Sequence, residues 1–127
     1  MKRLLAGLLL LAASLVASAA EAPLPAPPER WATDEAGLLS AMGLSRLDAR
    51  LQGFERATGH QVLVWIGGTT GETPVEDWAA RTFAAWKVGR KGLDDGLVVF
   101  VLAKDRKIRI EVGYGLEEKV PDAVASR

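Results

Sequence analysis

Two apolar runs separated by three residues constrain this chain more than any other feature. Leu97 to Ala103 (LVVFVLA) is almost wholly apolar and rich in β-branched residues, the pattern of a strand covered on both faces. Lys107 to Val112 (KIRIEV) alternates polar and apolar residues, the pattern of a strand covered on one face. Only Lys104, Asp105 and Arg106 lie between them, enough for a hairpin and too few for a crossover, so the two strands are expected to pair antiparallel. A hairpin sets the start of its first strand beside the end of its second. Asp94 and Asp95 are thereby expected at the same sheet edge as Gly113, Tyr114, Gly115, Glu117 and Glu118, with Asp122 close behind.

The chain has 127 residues, room for one small domain. Its front reads as targeting rather than structure: a basic start (Lys2, Arg3), an apolar core from Leu4 to Val16, and small residues at Ala17 to Ala20. Residues 1–20 are therefore expected to be a secretory signal peptide, and the protein periplasmic or secreted. The apolar core is short for a membrane span of roughly 20 residues, and no second one follows, so no transmembrane anchor is expected after cleavage. There is no cysteine, hence no disulfide and no lipid-modified cysteine anchor. Sixteen basic and sixteen acidic residues balance, which argues against a nucleic-acid partner.

Residues 21–30 begin EAPLPAPPE, a proline-rich stretch expected to be an extended linker. The domain is expected from Trp31. Leu44, Leu47, Leu51 and Phe54 recur at helical spacing, with Ser40 as N-cap and Gly59 as stop, and Asp34 near enough to the helix start to help cap it. Gln61 to Ile66 (QVLVWI) reads as a central strand. A second helix is expected from Thr73-Pro74-Val75-Glu76, with Thr73 and Glu76 as a capping box and Pro74 at the first helical position. Its buried face is expected to be Val75, Trp78, Ala79, Thr82 and Trp86, and Gly89 to end it. Strand, helix, strand in this order predicts a right-handed crossover between parallel strands, with the hairpin adding an antiparallel one. The expected fold is α/β with a mixed sheet and helices against its faces.

Three features carry potential chemistry. At the acidic pole, Asp94, Asp95, Glu117, Glu118 and Asp122 offer hard oxygen ligands, while glycines 96, 113 and 115 let carbonyls approach, an inventory that suits Ca²⁺ and, with more waters kept, Mg²⁺. The same residues have a plainer reading: Asp-Gly before a strand is turn chemistry, and Asp122 suits the start of a terminal helix. The Gly67 to Gly71 loop follows a parallel strand and precedes a helix, where anions bind, but it matches no phosphate-binding glycine fingerprint and reads as a connector at the opposite sheet edge. His60 is the only histidine and lacks a Gly-x-Ser-x-Gly elbow or cysteine partner, so it reads as a loop residue, and zinc of the histidine and cysteine kind is excluded. Trp65, Trp78 and Trp86 read as core, and Trp31 marks the domain entrance.

Asp34-Glu35-Ala36-Gly37-Leu38-Leu39-Ser40, Phe54-Glu55-Arg56-Ala57-Thr58-Gly59, Trp86-Lys87-Val88-Gly89, Asp94-Asp95-Gly96 and Arg109 to Glu117 (RIEVGYGLE) occur in one order. On these blocks the chain from Trp31 to Arg127 resembles the TPM-domain family. The resemblance implies a small three-layer α/β/α sandwich, export, a divalent-cation site lined by acidic residues, and an acid phosphatase activity proposed for the family. For thylakoid members it implies a part in photosystem II repair. Carried onto this chain, the metal ligands would be Asp94, Asp95, Glu117 and Asp122, with Asp94 or Asp95 as base or nucleophile in a phosphatase. The partners would be membrane or envelope protein complexes. Family members usually continue through further helix past the segment matching Val120 to Arg127, so the domain is expected to be incomplete at its C-terminal end, with one sheet face poorly covered.

Overall fold

The computed structural model describes residues 21–120; the expected leader, residues 1–20, and Asp122 lie outside the described residues. Four strands form one sheet in the order β1 (Ala32–Asp34), β2 (Gln61–Gly67), β3 (Gly96–Leu102) and β4 (Lys107–Val112). Helix α1 (Ala41–Thr58) joins β1 to β2, helix α2 (Val75–Trp86) joins β2 to β3, and a single 3-10 turn (Tyr114–Leu116) follows β4. β1, β2 and β3 are parallel, and β4 adds antiparallel to β3. The hairpin register sets Leu97 opposite Val112 and Leu102 opposite Lys107, so the pole expected from the spacing is formed.

Sheet faces follow from that register. Leu63 and Trp65 of β2 share a face with Val98, Phe100 and Leu102 of β3, because Leu63 pairs with Val98 and Trp65 with Phe100. These five residues and the buried face of α2, Val75, Trp78, Ala79 and Trp86, make the core cluster. Thr82 completes that helix face by donating its hydroxyl to the Trp78 carbonyl at 2.7 Å, so the buried face is the five residues expected from the sequence. Phe100 is its centre: its ring lies 5.3 Å from Trp78, 5.5 Å from Trp86 and 6.4 Å from Trp65. Tilted and edge-on aromatic pairs of this kind add about 0.5–1.5 kcal/mol each beyond area burial.

The cluster contains no α1 residue, which assigns α1 to the opposite face, where it packs on β1 and β2. Its ends are those expected: the Ser40 hydroxyl accepts from the Gly43 amide at 3.0 Å, and Gly59 takes the left-handed conformation at φ 80°. The β3–β4 half of that face is open. Leu97, Val99 and Val101 are only half-buried, and Ile108 on β4 is 68% exposed.

Four local expectations are corrected. β1 is a strand that the sequence pattern did not announce; its backbone is held from α1, where Asp48 Oδ1 accepts from the Trp31 and Ala32 amides at 2.9 and 3.0 Å. Asp34 belongs to that strand and braces the turn before α1, accepting from the Leu39 amide at 2.7 Å. The Thr73 and Glu76 capping box does not form, because α2 begins at Val75 with Pro74 at the cap position and the Thr73 hydroxyl accepts from the Ala22 amide instead. The helix stops at Lys87, left-handed at φ 52°, two residues before Gly89.

Among the described residues no helix is long and apolar enough to cross a membrane. Because Phe100 touches three tryptophans from two elements, Phe100→Ala is expected to destabilise the fold by about 3–5 kcal/mol, read as a lowered midpoint in urea unfolding.

Candidate functional site

The pole where β3 starts and β4 ends is built by one loop, residues 87–95, and by the turn after β4. Asp95, the last loop residue, is 3% exposed, and both of its carboxylate oxygens accept hydrogen bonds. Oδ1 accepts from the Arg90 amide at 2.8 Å; Oδ2 accepts from Arg90 Nε at 2.8 Å and from its terminal NH2 group, and His60 Nδ1 lies 3.1 Å away. A side-chain carboxylate that closes on an amide five residues earlier makes the loop a ring. Arg90 in turn lies over Gly59, where any Cβ would collide with the guanidinium, so the end of α1 and the loop before β3 are packed together. The Gln61 side chain adds a tie, accepting from the Gly89 amide at 2.7 Å, while the Gln61 backbone amide donates to the Asp95 carbonyl at 3.2 Å.

Hydrogen bonding from the Arg90 side chain, reinforced by the Arg90 amide and His60, holds the Asp95 carboxyl far below the usual carboxylate range, against the opposing effect of burial. Arg90 is 52% exposed, so the pair joins a buried anion to a cation still in contact with water.

Asp94 is the counterpart. It sits at φ 48°, left-handed and uncommon for a residue with a side chain, and its carboxylate is exposed with no hydrogen-bond or ion-pair partner among the described residues. The backbone there is fixed by the β4 exit: Gly113 donates to the Gly96 carbonyl at 2.7 Å, and Gly115 to the Asp94 carbonyl at 3.0 Å. A Cβ at Gly113 would strike the Asp94 carbonyl, and one at Gly115 the Leu93 carbonyl, so glycine is required by close backbone approach. Glu117 and Glu118 follow on the same turn, both exposed.

Of the four residues expected as ligands, the fold therefore places Asp94 and Glu117 outward at one rim, buries Asp95 beneath them, and Asp122 lies outside the described residues. Asp95 does not fit as a ligand, because both its oxygens are occupied. Asp94 and Glu117 are left to solvent. Among the described residues no group of three or more acidic, histidine or cysteine side chains is close enough to hold a metal by itself.

Two features escaped the sequence reading. Arg90 carries no motif that marks it as the partner of Asp95; only their five-residue spacing, compatible with a closed turn, hints at it. Beside the rim, Lys87, Arg90, Lys91 and Asp94 line a cavity of about 480 Å³ with Phe83 and Val88. At the far end of the sheet the Gly67 to Gly71 loop is a braced connector: Asp105 Oδ1 accepts from the Thr69 hydroxyl at 2.7 Å and Oδ2 from the Thr70 amide at 3.1 Å, which holds the Asp105 carboxyl below its ordinary value.

A family model described as TPM domain matches residues 32–127. The chain belongs to the TPM-domain family. Among solved structures, it is similar to the N-terminal domain of a P. gingivalis protein at 34% identity and a TM-score of 0.70, over 77% of this chain and 62% of that one. The N-terminal domain of the cg2496 protein from Corynebacterium glutamicum matches at 18% identity and TM-score 0.61, over 85% of this chain and 68% of that one. The BA42 protein from Bizionia argentinensis matches at 22% identity and TM-score 0.60, over 71% and 61%. The last two show the fold alone, and this chain spans about 62% of the P. gingivalis chain. No curated protein matches it.

The Asp95 pairing yields a stability signature. Its folded carboxyl is depressed below the unfolded value of 3.8, so the unfolded chain binds the proton more readily. The stabilisation is complete above that unfolded value and is lost as pH falls below it towards the folded one. Asp95→Asn is expected to destabilise the TPM domain by about 3 kcal/mol at neutral pH and to flatten the acid limb of its stability curve, measured by urea unfolding at stepped pH.

Proposed function

We propose that this TPM domain is exported and works in the periplasm or outside the cell as a divalent-cation-binding accessory module for membrane or envelope protein complexes. The observation that carries the reading is the division of labour between adjacent aspartates. Asp95 is saturated by Arg90 and His60 and acts as a support, while Asp94 is held outward on a backbone that Gly113 and Gly115 pin in place. Asp94, Glu117 and Asp122 would hold the cation, Ca²⁺ in preference to Mg²⁺ because an open rim of carboxylates and waters suits its larger, flexible shell. Bound there, the cation would neutralise the pole and tie the β4 exit to the loop before β3, presenting a charged surface whose shape depends on the ion.

A second reading, a metal-dependent acid phosphatase acting on phosphate monoesters, is favoured by the cavity in which Lys87 and Lys91 stand near Asp94. In it the lysines hold the phosphate as point charges and Asp94 serves as base or nucleophile. Against it, the guanidinium that lines this cavity, that of Arg90, is committed to Asp95.

A Ca²⁺ titration followed by amide NMR tests the first reading. The amides of Gly96, Gly113 and Gly115 are expected to shift and saturate, and Asp94→Asn to weaken binding roughly tenfold, about 1.4 kcal/mol, with the fold unchanged. Shifts that never saturate, or survive Asp94→Asn undiminished, overturn it. Turnover of a phosphate monoester that disappears in Asp94→Asn would establish the second.

A further inference from the structure

The proline-rich stretch read as a linker is seated on α2. Trp78 Nε1 donates to the Pro23 carbonyl at 3.2 Å, and Trp86 Nε1 donates to the Pro25 carbonyl at 2.9 Å. At the helix start the Ala22 amide donates to Thr73 Oγ1 at 2.9 Å, and the Glu21 carboxylate pairs with Arg81 at 3.2 Å. Arg81 is itself held by Asp77 one turn earlier, so the cation waits in position.

Four contacts along α2 and the turn before it are more than a passing linker needs, and their chemistry is selective. Proline has no amide hydrogen, so an extended proline-rich chain presents carbonyls that nothing within it satisfies. A surface that recognises such a chain needs rigid donors set on an aromatic ridge, because the ligand is already extended and loses little entropy on docking. α2 supplies this. Its two indoles are eight residues apart on one face, and both rings are fixed from behind by Phe100. The arm does not fill the site: a cavity of about 310 Å³ remains beside it, lined by Leu24, Pro25, Trp65, Thr69 and Trp78 among others. The match to the family begins at residue 32, so the arm lies outside it while both tryptophans lie inside.

We propose that the Thr73–Trp86 face of α2 is a recognition groove for an extended, proline-rich chain, loaded in cis with the protein's own arm, and that its ligand in trans is a segment of the same chemistry. The cis arm acts at high effective concentration, so a competing segment gains access when the arm is loosened. The arm then has two states, docked and displaced, and the indole N–H groups report which is populated.

The full chain with Pro23, Pro25, Pro27 and Pro28 each replaced by Gly keeps the core and removes the pre-set extended backbone. In nitrogen-edited NMR, the Trp78 and Trp86 indole resonances are expected to move, because each loses the carbonyl to which it donates. A synthetic peptide of residues 21–29, EAPLPAPPE, should return both to their native positions saturably, and its glycine-substituted counterpart should not. Indoles that stay put on loosening, or that ignore the peptide, overturn the proposal. Thr73→Val in the otherwise native chain touches no core residue; exchange of the Ala22 amide should accelerate at least about tenfold, and unchanged exchange counts equally against the groove.

Discussion

The pairing of the Asp95 carboxylate with Arg90 is the interaction on which the pole depends. It is a charge pair formed across five residues of one loop, and the geometry that satisfies it fixes three other things: where β3 begins, how α1 ends over Gly59, and which way Asp94 faces. A buried carboxylate without such partners would be costly, and here two nitrogens of one guanidinium, a backbone amide and an imidazole share it. The neighbouring acidic side chain is thereby left to solvent. Adjacent residues of the same type have opposite environments, and this contrast gives the rim its character.

The hairpin and the α2 face were legible because both depend on short-range pattern. Three residues between two apolar runs leave no alternative to antiparallel pairing, and Val75, Trp78, Ala79, Thr82 and Trp86 follow helical periodicity against a core. β1 was not legible: Ala32, Thr33 and Asp34 are too few and too polar to show alternation, and the strand exists because it pairs with β2 while Asp48, on a helix to come, holds the Trp31 and Ala32 amides at its start. Composition identified an extended arm but could not say that two indoles would receive its carbonyls more than fifty residues away.

The candidate site divides in the same way. Hairpin geometry brought Asp94, Glu117 and the glycines to one edge, but it could not separate the two aspartates, because that separation is a matter of which side chain turns inward. Thr73 shows the same limit from the other side. Its spacing to Glu76 is that of a capping box, yet one hydroxyl can serve only one arrangement, and the arm has it. Local rules are overridden where a distant segment competes for the same polar atom.

The sheet is tied at both ends by aspartates that work the same way. Asp95 gathers donors at the β3 start, and Asp105, in the hairpin turn, gathers Thr69 and Thr70 at the opposite end. Between them lies an aromatic centre that holds no ionisable group. Acid therefore reaches the two ends in turn: the Asp105 tie, the less depressed, releases first as pH falls, the Asp95 tie, held far lower, releases after it, and the stacked rings between them offer a proton nothing to bind.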